Sequence, residues 1–484
     1  MRLEDLLIGV ECIELNIPNN LEIENLTYDS RKIKKGSCFV AIKGEKFDGH
    51  EFIIEAIDKG ANVIISEKQQ QNKSEVPIIV VENSRKALSR LAANFYKAPS
   101  FEINVIGVTG TNGKTSVSQI LKQLLDSLGS SCGALGTLGF SINQDIVNTG
   151  FTTPESIELH GMLKLLVDSR TDNAVLEVSS HSLDQCRVDD VKFDTAIFTN
   201  LSQDHLDYHK TMQNYFKSKF KLFKSLGKDS YSVINIDDKY GLEIYNSVSS
   251  NKISYGVKSN CDISASDIQF NFSWSYAKVR IFKKEYIIKT NLMGEYNVLN
   301  VLAAIGALVS LGYRPKDIIK KINAIEFSIP GRVEMISCAN NKFILVDYAH
   351  SPDAFATIFS NIKKIDNSFS LISLFGCGGD RDKTKRSEMA RIAEEYCEQI
   401  FITSDNPRTE KLEDINNDII SGFTSDCYNI IENRSEAIKS AIGSMNEKSV
   451  LLILGKGREN YQIIGSEREY HSDVDIIKEC IYAN

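Results

Sequence analysis

Apolar and polar positions alternate along this chain in blocks. From residue 101 onward, β-branched runs end in small or polar residues: "INVIGVTG" (103–110), "NAVLEVSS" (173–180), "DTAIFTNLS" (194–202) and "SYSVINIDD" (230–238). Stretches of helical periodicity lie between them, which predicts a parallel sheet covered by helices on both faces. After "EFSIPGRVEM" (326–335) the alternation resumes with "FILVDYAH", "SLISLFGCGGD", "IFITSDNPR" and "SVLLILGKGREN". This reads as a further α/β unit. The first hundred residues mix shorter strand-like runs ("SCFVAI", "ANVIIS", "VPIIVV") with helical stretches, and "LSRLAANFYKAPS" predicts a helix ending before Pro99. The expected boundaries are 1–99, 100–330 and 331–484. Ligands of such sheets sit beyond the carboxyl ends of the strands, where the unusual polar residues of this chain fall.

Length agrees with about three domains: the chain has 484 residues. Its 42% hydrophobic and 25% charged residues are ordinary for a soluble globular protein. The net charge of -8 argues against sequence-independent nucleic-acid binding. "MRLEDLLIGVECIEL" carries acids inside its apolar run and is a poor secretory signal. No apolar run approaches the ~18 residues that span a bilayer; "VLAAIGALVSLGY" (301–313) reads as a buried helix. The 10 cysteines form no Cys-x-x-Cys pair and read as reduced thiols, so a cytoplasmic protein without membrane insertion is expected.

"VIGVTGTNGKTSVSQILKQLL" (105–125) is strand, glycine loop, helix. Gly110 and Gly113 let backbone amides face phosphate oxygens, Lys114 can reach terminal phosphates, and Thr115 can offer a hydroxyl to magnesium. Val108 stands where the strict phosphate-loop pattern has glycine, so the loop is a shortened variant. Such a loop serves a kinase, a GTPase or a ligase equally well. Glu177 ends a strand, and Asp204, His205, Asp207 and His209 follow the next one. A triphosphate needs a divalent ion, and Mg²⁺ prefers carboxylate and phosphate oxygens. Taken alone, Glu177 fits a strand-end cap as well as a ligand, and His205 fits a satisfied core histidine.

"TGTNGKTS", "EVSSHSLDQCR", "TNLSQDHLDYH", "PGRVE", "VDYAHSPD", "FGCGGDRDKTKR", "DNPRTE" and "GKGRENYQ", together with "YDSRKIKKGSCFVAIKG" near the start, resemble the Mur ligases in family order over nearly the whole chain. The resemblance implies a domain for the UDP end, a central P-loop-type ATPase and a C-terminal Rossmann-like domain. It implies a monomer acting on small molecules: ATP with Mg²⁺, UDP-MurNAc-L-Ala-D-Glu, and an amino acid joined to the D-glutamate through an acyl phosphate, in peptidoglycan precursor synthesis. Glu177 and His205 are then metal ligands joined by Thr115, and Lys219 matches a carbamylated lysine (N6-carboxylysine) bearing a further metal contact. Without the family, Lys217, Lys219, Lys221 and Lys224 read as a solvated basic helix face.

The same resemblance places Gly110, Thr111, Asn112, Gly113, Lys114, Thr115, Ser116, Asn200, Asn235, Arg332 and Asp347 at ATP. It places Ser30, Glu45, Lys46, Phe47, Thr152, Thr153, Ser179, Gln185 and Arg187 at the UDP-muramoyl dipeptide. Thr152 and Thr153 also fit a helix cap, and Phe151 stands where relatives often have Asn. Asp405, Asn406, Pro407 and Arg408 match the variant of the family that takes meso-diaminopimelate; lysine-adding relatives change the arginine. An arginine can grip the extra carboxylate of diaminopimelate through two parallel hydrogen bonds and would repel the ammonium of lysine. Arg381, Gly455 and Glu459 complete that pocket, and Arg458 replaces a common histidine. A lysine-adding enzyme, or a nucleotide-sensing ATPase, are the readings that compete.

Overall fold

Three sheets organise the chain. The computed structural model describes residues 1–14, 20–44, 47–69, 75–142, 145–147, 149–339 and 341–482. The first sheet has five strands in the order Cys12–Glu14, Ile78–Val81, Ala61–Ser66, Ser37–Val40, Asn25–Thr27, parallel except for the first. The helix Ser84–Phe95 packs on it; the Asn83 side chain accepts from Lys86 N at 2.9 Å to start that helix, and it stops short of Pro99.

The second sheet has eleven strands. Its parallel core runs Asn251–Gly256, Tyr231–Asn235, Thr195–Phe198, Asn104–Thr109, Asn173–Glu177, Cys132–Gly136. Antiparallel strands extend both edges, Ser275–Ile281 and Lys284–Thr290 beyond Ile263–Phe270 on one side, Gly139–Ile142 and Asp145–Val147 on the other. Successive residues of the strand Asn104–Thr109 serve two cores. Ile106 and Val108 pack with Val117, Leu121 and Leu302 from helices Lys114–Ser127 and Glu295–Ser310. Val105 packs with Leu159, Leu163 and Phe223 on the opposite face. A sheet buried on both faces explains why its strands are near-continuous apolar runs.

The third sheet runs Glu334–Ala339, Lys342–Asp347, Ser449–Leu454, Ser370–Phe375, Gln399–Ile402, Tyr428–Ile430, parallel except for the first. Helices on its two faces give it two cores. Each strand expected from the sequence after residue 100 is present, and the chain is α/β with parallel sheets at the centre of its units. Among the described residues, no helix is long and apolar enough to cross a membrane.

The helix Glu295–Ser310 contains the apolar run expected to be buried, and residues 301–305 are each 0% exposed. A helix apolar on all sides is stable only inside a core. Leu302→Ala is therefore expected to destabilise the protein by about 2–5 kcal/mol, read as a lowered urea midpoint. Leu242→Ala, at a residue 45% exposed, is expected to change stability by less than about 0.5 kcal/mol. Equal shifts would contradict this packing.

Candidate active site

The phosphate loop leaves the strand Asn104–Thr109 and enters the helix Lys114–Ser127. A Cβ on Gly110 would lie 1.9 Å from Thr199 Oγ1, so only glycine passes there; Gly113 has φ 88°. Asn200 holds the loop from the next strand end. Its carbonyl accepts from Thr111 N at 2.9 Å, its Oδ1 accepts from Asn112 N at 2.9 Å, and its Nδ2 donates to Asn112 O at 3.1 Å. Asn235 steadies that strand end by donating to Thr199 O at 2.8 Å, while its Oδ1 accepts from Asp237 N. It is a turn residue and a cavity residue at once. Lys114 Nζ donates to Gly110 O (3.0 Å) and Thr111 O (2.8 Å).

Glu177 meets a row of hydroxyls. Its Oε2 accepts from Thr115 Oγ1 at 3.0 Å and Thr137 Oγ1 at 3.1 Å, and its Oε1 accepts from Thr137 N at 3.0 Å. Thr137 Oγ1 lies 3.2 Å from Thr152 Oγ1. A Cβ on Gly136 would fall 2.0 Å from Glu177 Oε1, so that glycine makes the approach possible. Neither Gly136 nor Thr137 carries a sequence signal. One carboxylate and one hydroxyl at the mouth of a phosphate loop are hard oxygen donors of the kind Mg²⁺ takes, with phosphate and water supplying the rest. The residues fit that ion.

Lys219 resolves the question posed by its helix. Lys217, Lys221 and Lys224 are exposed, whereas Lys219 is 1% exposed and shares the buried face with Tyr215, Phe216, Leu222 and Phe223. Its Nζ donates to Gly110 O at 2.8 Å, the carbonyl that Lys114 also uses, and lies 4.8 Å from the Tyr215 ring centroid. Burial, with the Lys114 charge behind it, pushes the Lys219 amine well below the ordinary lysine range, against the pull of Asp204. His205 takes a left-handed φ of 55° and stacks edge-on with His181 at 4.9 Å. Burial pushes its pKa down to about 3, opposed by Asp204. The ring is neutral near pH 7, and its Nε2 lies 3.5 Å from Asp204 Oδ2. Burial works against ionisation of Asp204, yet His205, His350 and Lys385 hold its carboxyl well below the usual range.

His350 and Lys385 reach Asp204 from the third unit, at 3.7 and 3.5 Å. They are part of a seam. Asn112 Nδ2 donates to Asp353 Oδ2 at 3.0 Å, and Arg332 Nη2 donates to Thr115 Oγ1 at 3.0 Å. Arg332 also rests 4.5 Å from the Tyr348 ring centroid. Asp347 accepts from Val333 N and Ala349 N, both at 2.6 Å, and so ties the chain's entry into the third unit to the end of the strand Lys342–Asp347. The seam encloses a cavity of about 300 Å³, within the range of small-molecule sites. Thr111 to Ser116, Thr152, Glu177, Ser179, Asn200, His205, Lys219, Asn235, Arg332 and Asp347 all line it.

Tyr348 leads from this cavity to a second cluster. Its hydroxyl donates to Glu459 Oε1 at 3.2 Å. Glu459 Oε2 accepts from Asn406 Nδ2 at 3.1 Å and Lys456 Nζ at 3.0 Å. Asp405, Asn406 and Pro407 are buried at the end of the strand Gln399–Ile402, and Arg408 leaves them with φ 53°. The Arg408 Nη1 donates to Gly379 O at 2.7 Å and more weakly to Asn406 O at 3.4 Å; among the described residues no carboxylate lies within ion-pair distance of it. Burial and the neighbouring Arg381 act against its charge, and Asp405, Glu459 and Asp380 act in favour. Arg381 is exposed and donates to Asp380 O. Gly455 N–H donates to Asp347 O at 3.1 Å, and a Cβ on Gly455 would lie 3.3 Å from Asp405 Oδ2, so what Gly455 gives the pocket is its lack of a side chain. Arg458 pairs with Glu334, its Nε donating to Oε2 at 2.8 Å, which balances the charge introduced at that position.

The residues expected at the UDP-dipeptide divide. Thr153 Oγ1 donates to Glu177 O at 2.7 Å and accepts from Ser179 N at 3.1 Å, so it ties the segment before the helix Ser156–Asp168 to the end of the strand Asn173–Glu177 and caps no helix. Arg187 donates to Thr153 O (2.8 Å) and Gln185 Oε1 (2.6 Å), and pairs with Glu155 at 3.0 Å. Phe151 lies 5.8 Å from that guanidinium. Ser30 opens a short 3₁₀ turn of the first unit and Phe47 is 71% exposed, both away from the seam cavity. Glu45 and Lys46 lie outside the described residues.

Known proteins share this arrangement. Three family models match in sequence order: the Mur ligase family, catalytic domain, at residues 22–96; the Mur ligase middle domain at 108–308; and the Mur ligase, glutamate ligase domain, at 331–457. A UDP-N-acetylmuramoyl-L-alanyl-D-glutamate–2,6-diaminopimelate ligase of Clostridium botulinum is 42% identical over 469 residues, covering 96% of each chain. A protein of the same name from Aquifex aeolicus is 40% identical over 461 residues, 95% of this chain and 94% of its own. A solved structure of a ligase of that name superposes with TM-score 0.70 at 28% identity, covering 100% of this chain and 99% of that one. With relatives above 40% identity along nearly its whole length and the three family domains in order, this chain belongs to the Mur ligase family.

Proposed function

We propose that this enzyme joins meso-2,6-diaminopimelate to the D-glutamate of UDP-MurNAc-L-Ala-D-Glu at the expense of ATP. The observation that carries the choice of amino acid is Arg408, a guanidinium without a carboxylate partner among the described residues, in a pocket that Tyr348 connects to the phosphate-loop cavity. The diaminopimelate-ligase names of the relatives support the same choice. Residues 1–99 take the uridine end, with Ser30 and the loop around Phe47; residues 100–330 bind ATP; residues 331–484 bind the amino acid. On this reading the enzyme acts as a monomer on cytoplasmic ATP.

A carboxylate resists attack because its charge repels the amine. Transfer of the γ-phosphoryl group of ATP to the glutamate carboxylate removes that charge, giving an acyl phosphate and ADP. The amine of diaminopimelate then attacks the acyl carbon, the C–O bond to phosphate breaks, and an amide, phosphate and a proton are released. The loop amides and Lys114 hold the phosphates, Arg187 orients the dipeptide, and Arg408 with Arg381 fixes the distal carboxylate so that the near amine faces the acyl carbon. Thr115, Glu177 and His205 would hold a Mg²⁺ ion, which would supply positive charge against the phosphates. Lys219, whose buried amine gives up its proton more readily than an ordinary lysine, is suited, once deprotonated, to add CO₂ and lose a further proton, which makes a carbamate and supplies another anionic ligand.

Three outcomes test this. Phosphate release from ATP is expected only when both UDP-dipeptide and diaminopimelate are present; steady release with neither would instead indicate a nucleotide sensor. Arg408→Lys keeps a charge and loses the planar fork, so kcat/KM for diaminopimelate is expected to fall on the order of 100-fold, with KM for ATP unchanged. An unaltered KM for diaminopimelate would contradict the pocket. Lys219→Ala is expected to lower kcat by on the order of 100-fold or more, as for loss of a charge-stabilising group, and acetate at high concentration is expected to restore part of it. Loss without any carboxylate rescue would count against the carbamate.

A further inference from the structure

Lys456 has no part in the reading so far. Its side chain is 0% exposed. The flanking Gly455 and Gly457 take φ of 106° and 53°, so the loop folds the lysine inward against the strand ends. The ammonium lies 3.4 Å from Asp405 Oδ1, 3.0 Å from Glu459 Oε2 and 3.2 Å from Asn406 Oδ1, and 5.6 Å from the centroid of the Tyr461 ring. Both acids of the amino-acid pocket therefore share one internal counter-ion. On the other side, Arg408 and Arg381 flank Gly378: a Cβ there would sit 2.9 Å from Arg408 Nη1 and 3.7 Å from Arg381 Cγ. The hydrogen bonds of both arginines run to backbone carbonyls.

Two carboxylates thus face three cations. Without Lys456, Asp405 and Glu459 would lose their ion-pair partner among the described residues. Arg434, whose charge also acts on both, is already taken by Asp473, which leaves the Arg408 guanidinium, under the field of the same two acids, to turn to them. An arginine drawn onto an internal acid binds an incoming one more weakly, because the existing pair must be shared or broken. We propose that Lys456 is a positioning residue that sets the sign of the pocket: by engaging Asp405 and Glu459 it leaves Arg408 and Arg381 free, so that a distal carboxylate is selected over a distal ammonium. The inference rests on the amino-acid-binding reading above and goes past it, because it ranks the two groups of the distal head. The carboxylate meets unpaired cations, whereas the ammonium meets acids that already have a partner.

The test compares three acceptors on the unaltered enzyme: diaminopimelate, L-2-aminopimelate, which keeps only the distal carboxylate, and L-lysine, which keeps only the distal ammonium. The expected order of kcat/KM is diaminopimelate, then aminopimelate, then lysine, with the last two separated by on the order of tenfold or more. Lysine equal to or better than aminopimelate overturns the proposal, and this comparison needs no variant to fold. In Lys456→Met the aminopimelate-to-lysine ratio is expected to shrink by about tenfold, with KM for ATP unchanged. A folded variant that loses activity with all acceptors alike, the ratio intact, would show that Lys456 only packs, and would overturn it too. Phosphate release with none of the three acceptors in the unaltered enzyme would sink the functional reading itself.

Discussion

The Arg332 guanidinium spans the seam between the second and third units, donating to the Thr115 hydroxyl while lying against the Tyr348 ring. From it an unbroken polar chain runs both ways. Thr115 leads to Glu177 and Thr137; Tyr348 leads through Glu459 to Lys456, Asn406 and Asp405. Buried polar groups are costly unless each has its partner. The phosphate loop and the amino-acid pocket therefore hold their shapes jointly, although they belong to different sheets.

That coupling suits a reaction in which one site energises a carboxylate and the other delivers an amine. An acyl phosphate is lost to water if it waits. Asp204, contacted by His350 and Lys385, and Asn112, bonded to Asp353, close the same seam from its other side. The third unit, proposed to hold the amino acid, is thus fastened to the part of the second that carries the phosphate loop. Contacts across the seam hold the two units against each other around one cavity, the arrangement in which positioning and exclusion of water favour such a reaction.

Much of this was legible in the sequence. Apolar runs ending in polar residues marked the strands of the second and third units. Gly110, Gly113 and Lys114 marked the phosphate loop, and Asp405 to Arg408 stood out as polar residues leaving one strand end. Lys219 was ambiguous as one of several lysines, yet helical spacing separates it: it falls four after Tyr215 and three before Leu222, on the apolar stripe. Other features had no local signal. Lys456 lies between glycines in a loop, and its burial depends on Asp405 and Asn406, fifty residues earlier. Gly136 matters only because Glu177, forty residues later, comes up against it. The antiparallel strands Ser275–Ile281 and Lys284–Thr290 enlarge the second sheet at an edge, where pairing is set by the neighbouring strand more than by composition. Arg458 suggested an unbalanced charge until Glu334, a partner over a hundred residues away, came beside it.

The central claim is that carboxylate activation and amine capture happen in one cleft held across this seam. Its most direct measurement uses UDP-MurNAc-L-Ala-D-Glu labelled with ¹⁸O in the glutamate carboxylate, turned over with ATP and diaminopimelate. Passage through an acyl phosphate leaves one carboxylate oxygen on the departing phosphate, so the released phosphate is predicted to carry the label. Phosphate released without label, its new oxygen drawn from water, would contradict the account.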